Sequence, residues 1–398
     1  MKANDDIYSG SSRIKRMEAS PIRMILDRAS ALREQGHPVI PFSAGEPNFN
    51  TPEAIKQATI HAIEENHTHY GSNQGLPKLR KLLAKSVLEE TGIVYDPETE
   101  ILVTSSAAEA INNAILSFIE DEDEVILFTP AFVTYKNLVK YAGGTVIDIP
   151  LRPENGFQPD PSEVEKAITE RTKMIIINNP NNPTGAVYSR AVLGELAKLT
   201  IQHNLLMLSD EIYSKLVYGD ISFTSMASFP GMKERTILIN GFSKTYAMTG
   251  WRLGYIATSK QLRMPLLKMH QYSTTCSPTF IQQGLIDSLE SPETLQEVNG
   301  MKKAFEKRRE MMLDGLDSIN NLSYIIPDGA FYIMVDVSAT GLTGMEFADR
   351  LLEGQYVATV PAIGLGDTCG NFIRISYAAS DDEITEGLGR IRTFVSSL

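Results

Sequence analysis

Lys244 is a lone lysine among small and hydroxylated residues in the stretch NGFSKTYAMTGWRLGY, residues 240–255, just after the apolar run TILIN. Surface lysines usually keep company with acids and other lysines. Here the only other charge is Arg252, which follows the chain's single tryptophan, Trp251. A free lysine amine has a pKa near 10.4, so only about one in a thousand is neutral at pH 7.4. Burial, or a neighbouring cation such as Arg252, lowers that value and yields a nucleophilic amine.

Other unusual polar residues share one placement, each directly after an apolar run. Thr104-Ser105-Ser106 follow ILV, Pro130-Ala131-Phe132 follow VILFT, residues 178–185 follow MIII, Asp210 follows LLMLS, and Ser243-Lys244 follow ILINGF. Open parallel sheets bind ligands at the carboxyl ends of their strands, which is where these residues would stand. The small residues Ser106, Ala107 and Ala108 open a helical pattern and leave backbone N–H groups free at its positive end, a setting for an anion. Arg252 can add a charged fork to the same phosphate. An ordinary helix cap by Ser105 or Ser106 accounts for the turn equally well. A carboxylate as deep as that of Asp210 calls for a cationic or proton-donating partner, unless it merely caps the next helix. Asn182 and Tyr213 can donate to a phenolate-type oxygen, and Phe132 offers a flat face for stacking. An aldehyde that carries a phosphate, a ring nitrogen and a phenolic oxygen is pyridoxal 5′-phosphate (PLP). Its electron-sink chemistry needs a Schiff-base lysine and an acid at the ring nitrogen.

The elements that must position these residues follow from periodicity. Short Val/Ile-rich runs recur between residues 100 and 260: EILVT, EVILFTP, TVIDIPL, KMIIINNP, LLMLSDE, TILIN and GYIAT. Most are separated by helical patterns such as AAEAINNAILSFI and RAVLGELAKLTIQHN. Buried strands alternating with helices predict an α/β fold, a mostly parallel sheet covered on both faces. A helical pattern, SPIRMILDRASALREQG, precedes this region, with Gly36 as its stop. After residue 285 come a long amphipathic helix, strands in GAFYIMVDV and NFIRISYA, and a closing helix. The expected division is an N-terminal arm that belongs partly to a small domain (1–45), a large cofactor-binding domain (46–285) and a C-terminal small α+β domain (286–398).

The formal net charge of −12, without a basic block, gives no phosphate-backbone partner. Two cysteines, Cys276 and Cys369, are too few for a disulfide framework and match no metal motif. No apolar run approaches membrane-spanning length and the first residues lack a signal-peptide core, so a cytoplasmic location is expected. The histidines of NHTHY, His67 and His69, read as a surface turn rather than a metal site.

In order along the chain, FSAGEPNF (42–49), HYGSNQGLPKLR, NNPNNPTG, SDEIY, SKTYAMTGWRLGY and NFIRISYA resemble the motifs of the class I/II PLP-dependent aminotransferases of fold type I. The likeness covers nearly the whole length and is nearest to the branch of bacterial aspartate-aminotransferase-like enzymes. It implies a seven-stranded sheet sandwiched by helices, plus a smaller α+β domain. It also implies a ping-pong amino transfer between an L-amino acid and a 2-oxo acid. Lys244 would carry the cofactor, Asp210 face its ring nitrogen, Asn182 and Tyr213 its phenolic oxygen, and Arg252, Ser243 and residues 106–108 its phosphate. Gly45 would offer its backbone to the substrate and Arg374 hold the α-carboxylate. Tyr70 would reach the phosphate of the partner subunit, which implies a homodimer with shared sites. The phosphate turn departs from the family's usual glycines, and Ala108 offers no side chain where some aspartate-specific relatives carry a lysine for a distal carboxylate. Elimination at a carbon–sulfur bond is the alternative on the same residues. A non-catalytic regulatory protein that binds the cofactor is a more remote one.

Overall fold

The structure, a computed structural model, describes residues 10–18 and 21–398. The start of the expected N-terminal arm, residues 1–9, and residues 19–20 lie outside the described residues. The seven Val/Ile-rich runs form β1 (Ile101–Thr104), β2 (Glu124–Thr129), β3 (Thr145–Pro150), β4 (Thr172–Asn178), β5 (Leu206–Asp210), β6 (Thr236–Gly241) and β7 (Gly254–Ala257). They make one sheet in the order β1-β7-β6-β5-β4-β2-β3. Strands β2 to β6 pair in parallel, and β7 is antiparallel to both β6 and β1. Six strands therefore point their carboxyl ends toward the same edge.

Period-two alternation explains why the runs are apolar throughout. Val125 and Leu127 of β2, Met174 and Ile176 of β4 and Leu208 of β5 face a layer that holds helices Ala107–Phe118 and Thr134–Ala142. Their neighbours Ile126, Phe128, Ile175, Ile177 and Met207 face the opposite layer, with helix Arg190–Gln202. Near the β1 edge, Val103, Leu238 and Tyr255 on that opposite face pack against helix Pro77–Thr91.

The later chain forms a second, antiparallel sheet from β8 (Ser323–Tyr324), β9 (Tyr332–Asp336), β10 (Val360–Pro361) and β11 (Phe372–Ser376), in the order β10-β11-β9-β8. Phe305 and Met312 of the long helix Pro292–Asp317 pack into its core with Phe347, Leu351 and Ile391. Thr343 and Ser380 start their helices with reciprocal capping boxes to Glu346 and Glu383. The early helix Pro21–Glu34 docks on this second unit: Ile25 and Ala29 meet Leu352 and Ala358, and Arg28 reaches Asp349 at 2.8 Å. Ile40 then pairs with Val357. Both ends of the chain thus build one layer that faces the strand ends of the large sheet. Among the described residues no helix is long and apolar enough to cross a membrane.

Candidate active site

A cavity of about 490 Å³ lies between the carboxyl ends of the large sheet and the second sheet. All the cofactor and substrate residues expected from the sequence line it, with one exception. Tyr70 stands outside it, 87% exposed on the surface.

Lys244 comes from the turn after β6, and its Nζ donates to the Gly45 carbonyl at 2.6 Å. Burial pushes this amine down from its usual 10.5 to about 8. The carboxylates of Glu46 and Asp210 oppose the shift, and the guanidinium groups of Arg374 and Arg252 add to it. A site that strips water from the ammonium and keeps two cations nearby favours the neutral nucleophile.

Asp210 closes β5, buried. Its Oδ2 accepts from Tyr135 Oη at 2.6 Å and its Oδ1 from the Ile212 N–H at 3.2 Å. Burial holds this carboxyl above its ordinary value, while those two bonds and the charge on Lys244 draw it back. A cation placed against it would complete the compensation. Tyr135, fully buried on helix Thr134–Ala142, is a site residue that the sequence did not disclose. Tyr332 of β9 is another. Its hydroxyl meets that of Tyr213 at 3.1 Å, and its ring lies 4.5 Å beneath the Arg374 guanidinium. No sequence signal marks either tyrosine, since Tyr135 sits in an ordinary amphipathic helix and Tyr332 in an apolar strand.

Arg374, on β11, is nearly fully buried and has no carboxylate within salt-bridge distance among the described residues. It donates to Asn182 Oδ1 at 3.1 Å and to the Ser43 carbonyl at 3.0 Å, while its Nε has no partner among the described residues. Burial lowers its affinity for the proton, and Tyr332 and Tyr213 act against that. A buried guanidinium with an idle N–H and neutral partners is prepared for an anionic ligand.

The turn after β1 is strained. Ser106 has φ 96° and ψ 160°, a region occupied almost only by glycine, at a cost of about 1–3 kcal/mol. It caps helix Ala107–Phe118, its Oγ accepting from the Glu109 N–H at 3.3 Å. The N–H groups of Ala107 and Ala108 find no acceptor among the described residues, and both residues line the cavity. Gly254 of β7 approaches so closely that a Cβ there would lie 2.6 Å from the Ala107 nitrogen. Arg252, exposed and donating to the Thr249 carbonyl at 2.8 Å, flanks this end. Phe132 forms the opposite wall and meets Tyr135 edge to face at 5.7 Å between centroids.

These groups fit PLP on their own chemistry. Idle N–H groups and Arg252 suit its phosphate, buried Asp210 suits a protonated ring nitrogen, and the Lys244 amine suits the aldehyde. His67 and His69 lie in a turn, and no metal-ligating cluster occurs among the described residues.

A two-unit α/β fold with a lysine at a strand end facing a buried arginine defines the class. The chain belongs to the class I and II aminotransferases, whose family pattern matches residues 37–391. It is therefore a transferase that moves amino groups. Among its relatives is a probable aspartate/prephenate aminotransferase of Aquifex aeolicus, 39% identical, with 96% of this chain and 97% of that one covered. Aromatic-amino-acid aminotransferase 2 of Thermococcus litoralis is 37% identical over 96% and 97% of the two chains. The solved structure of a Thermus thermophilus aspartate aminotransferase variant superposes with a TM-score of 0.92 at 36% identity, covering 98% of this chain and 99% of that chain.

Proposed function

We propose that the chain transfers an amino group between an L-amino acid and a 2-oxo acid with PLP held in this cavity. The observation that carries the proposal is the convergence, in one cavity, of buried Arg374 without a carboxylate partner, the Lys244 amine with its lowered pKa, and buried Asp210. When bound, the cofactor supplies an electron sink for the negative charge that develops at the substrate's Cα. The protein does the rest. Lys244 Nζ is the group that would hold the cofactor through its aldehyde, and the same amine would take the proton from the substrate's Cα. A pKa of about 8 lets the same nitrogen take and return that proton near neutral pH. Arg374 holds the α-carboxylate through its idle Nε and a fork freed from Asn182. Asn182 and Tyr213 then serve the phenolic oxygen. Asp210, oriented by Tyr135, keeps the ring nitrogen protonated. Ser243, Arg252 and the N–H groups of Ala107 and Ala108 take the phosphate.

The wall for the substrate's side chain combines apolar residues such as Leu26, Ile111 and Leu365 with one further cation, Arg23. Among the described residues, Arg23, Arg252, Lys244 and Arg374 are the basic side chains around the cavity, and the last three already have roles. Arg23, whose Nε also pairs with Asp27 Oδ1 at 3.3 Å on the exposed face of its helix, is thus the remaining cation for an acidic side chain in the absence of one from Ala108. Relatives named for aspartate and for aromatic amino acids both support this mixed wall. The exposure of Tyr70 supports its service to a partner's phosphate in a homodimer. Two unpaired thiols support a cytoplasmic setting. We propose the division at residue 45, which the docking of the early helix on the second unit supports. The one at 285 falls within helix Thr279–Ser288, whose Leu285 still packs with the large unit.

The deciding experiment is an absorbance spectrum of the PLP-loaded protein before and after adding single amino acids. Conversion to the amine form of the cofactor, reversed by a 2-oxo acid, is the expected result and names the donor. Release of ammonia and pyruvate with no such conversion would assign elimination instead.

A further inference from the structure

Behind the strained turn lies a pair of ionisable side chains that the chemistry above does not use. Glu109 is the third residue of helix Ala107–Phe118, and His270 comes from the neighbouring helix Lys260–Ser273. Neither lines the cavity. Glu109 Oε2 accepts from the Ser105 N–H at 2.5 Å, and its Oε1 accepts from His270 Nδ1 and Asn113 Nδ2, each at 2.7 Å. An acid at this helix position ordinarily reaches back to the N–H of the capping residue. Here it takes the N–H one residue earlier and so grips the chain on the far side of Ser106. His270 is completely buried and its Nε2 has no partner among the described residues, so the hydrogen bonding of the ring is directed at this carboxylate.

We propose that Glu109, held by His270, is a positioning residue that locks the Ser106 turn in its positive-φ shape and thereby sets the affinity for the cofactor's phosphate. The inference rests on the PLP reading above. A serine relaxes out of this backbone region unless its surroundings forbid it. Three contacts forbid it here. The Ser106 carbonyl accepts from Thr104 Oγ1 at 2.9 Å, Gly254 packs against the Ser106–Ala107 peptide, and Glu109 pins Ser105. Only the last is a charge-assisted bond, and its acceptor is aimed by a second helix. Without it the Ser105 N–H is orphaned and φ at Ser106 can return to negative values. The N–H groups of Ala107 and Ala108 then lose their alignment with Arg252 and Ser243.

The test compares PLP dissociation constants and the phosphorus-31 resonance of the bound cofactor in full-length wild type, Glu109→Ala, Glu109→Gln and the double variant Glu109→Ala/Ser106→Gly. Glu109→Ala should bind PLP about tenfold more weakly, the loss of one hydrogen bond to a charged group, with its resonance moved toward that of free PLP. Glu109→Gln keeps an oxygen for the Ser105 N–H and should stay within about threefold of wild type. Adding Ser106→Gly should restore most of the affinity, because glycine adopts the turn without strain, and a merely structural role for Glu109 gives no such rescue. Wild-type affinity and resonance in Glu109→Ala, or no recovery in the double variant, would overturn the proposal. Should Glu109→Ala not fold, His270→Phe carries the test: PLP binding several-fold weaker supports the lock and unchanged binding refutes it. A wild type that binds no PLP at all would instead remove the functional reading beneath it.

Discussion

Replacing Lys244 by methionine should make the cofactor-free protein more stable. The amine is held at about 8 in the folded chain, against 10.5 ordinarily, chiefly by burial. Every tenfold loss of proton affinity corresponds to about 1.36 kcal/mol, so the charged form of Lys244 costs the folded state roughly 3 kcal/mol. Methionine has nearly the same length and no charge. It forfeits the bond to the Gly45 carbonyl, worth about 1 kcal/mol, which leaves a net gain near 2 kcal/mol. The pH dependence carries the sign. Below pH 8 the lysine is protonated both folded and unfolded, so the full penalty applies. Between about 8 and 10.5 the folded chain releases its proton first, and wild-type stability climbs relative to the variant. Above that window the advantage of the variant should vanish or invert. The assay is urea unfolding of both apo-proteins at equal chain concentration, at about pH 7 and then stepwise to about pH 10.5. A variant no more stable than wild type at neutral pH, or a gap that ignores pH, would refute the claim that burial depresses the proton affinity of Lys244.

Tyr135→Phe removes a 2.6 Å bond to Asp210, worth about 1.5–3 kcal/mol because the acceptor is charged. Since that bond lowers the pKa of Asp210, the carboxyl should rise further and the acid limb of the pH–rate profile should move to higher pH. Arg374→Ala should raise KM for every amino donor by about a hundredfold or more while the cofactor's absorbance band persists, measured by the half-reaction. Arg374→Lys should recover only part of that loss, because it has no planar fork. Arg23→Ala should lower kcat/KM for aspartate about three- to fivefold relative to phenylalanine, the scale of an exposed charge pair, and an unchanged ratio would remove Arg23 from the wall.

The sheet and the polar residues at its strand ends are legible in the sequence because burial on both faces tolerates few exceptions. Asp210 after LLMLS and Lys244 after ILINGF stand out as such exceptions. Tyr135 and Tyr332 do not, because a tyrosine in an amphipathic helix or an apolar strand is the same letter whether it fills space or aims a hydroxyl. Its role is set by a partner, here Asp210, 75 residues away in the chain. His270 and Glu109 are hidden for the same reason, standing 161 positions apart in the chain. The reversal of β7 is likewise silent, since GYIAT is as apolar as its parallel neighbours.

The phosphate turn shows why a departure from local rules is informative only in three dimensions. Read along the chain, Ser105-Ser106-Ala107-Ala108 passes equally well for an ordinary helix start, and it departs from the glycines usual in the family's phosphate turn. In space Ser106 nevertheless holds φ 96°, and the missing glycine reappears at Gly254, on another strand, where the close approach needs it. A glycine at Ser106 would adopt the shape without strain. A serine held there by the Glu109 bond to Ser105 gives up folding free energy for a turn with one shape. Lys244 does the same when it stays buried without a full complement of anions. Both residues are destabilising where they stand, both face the same cavity, and the PLP proposed there would gain from each through its phosphate and its aldehyde.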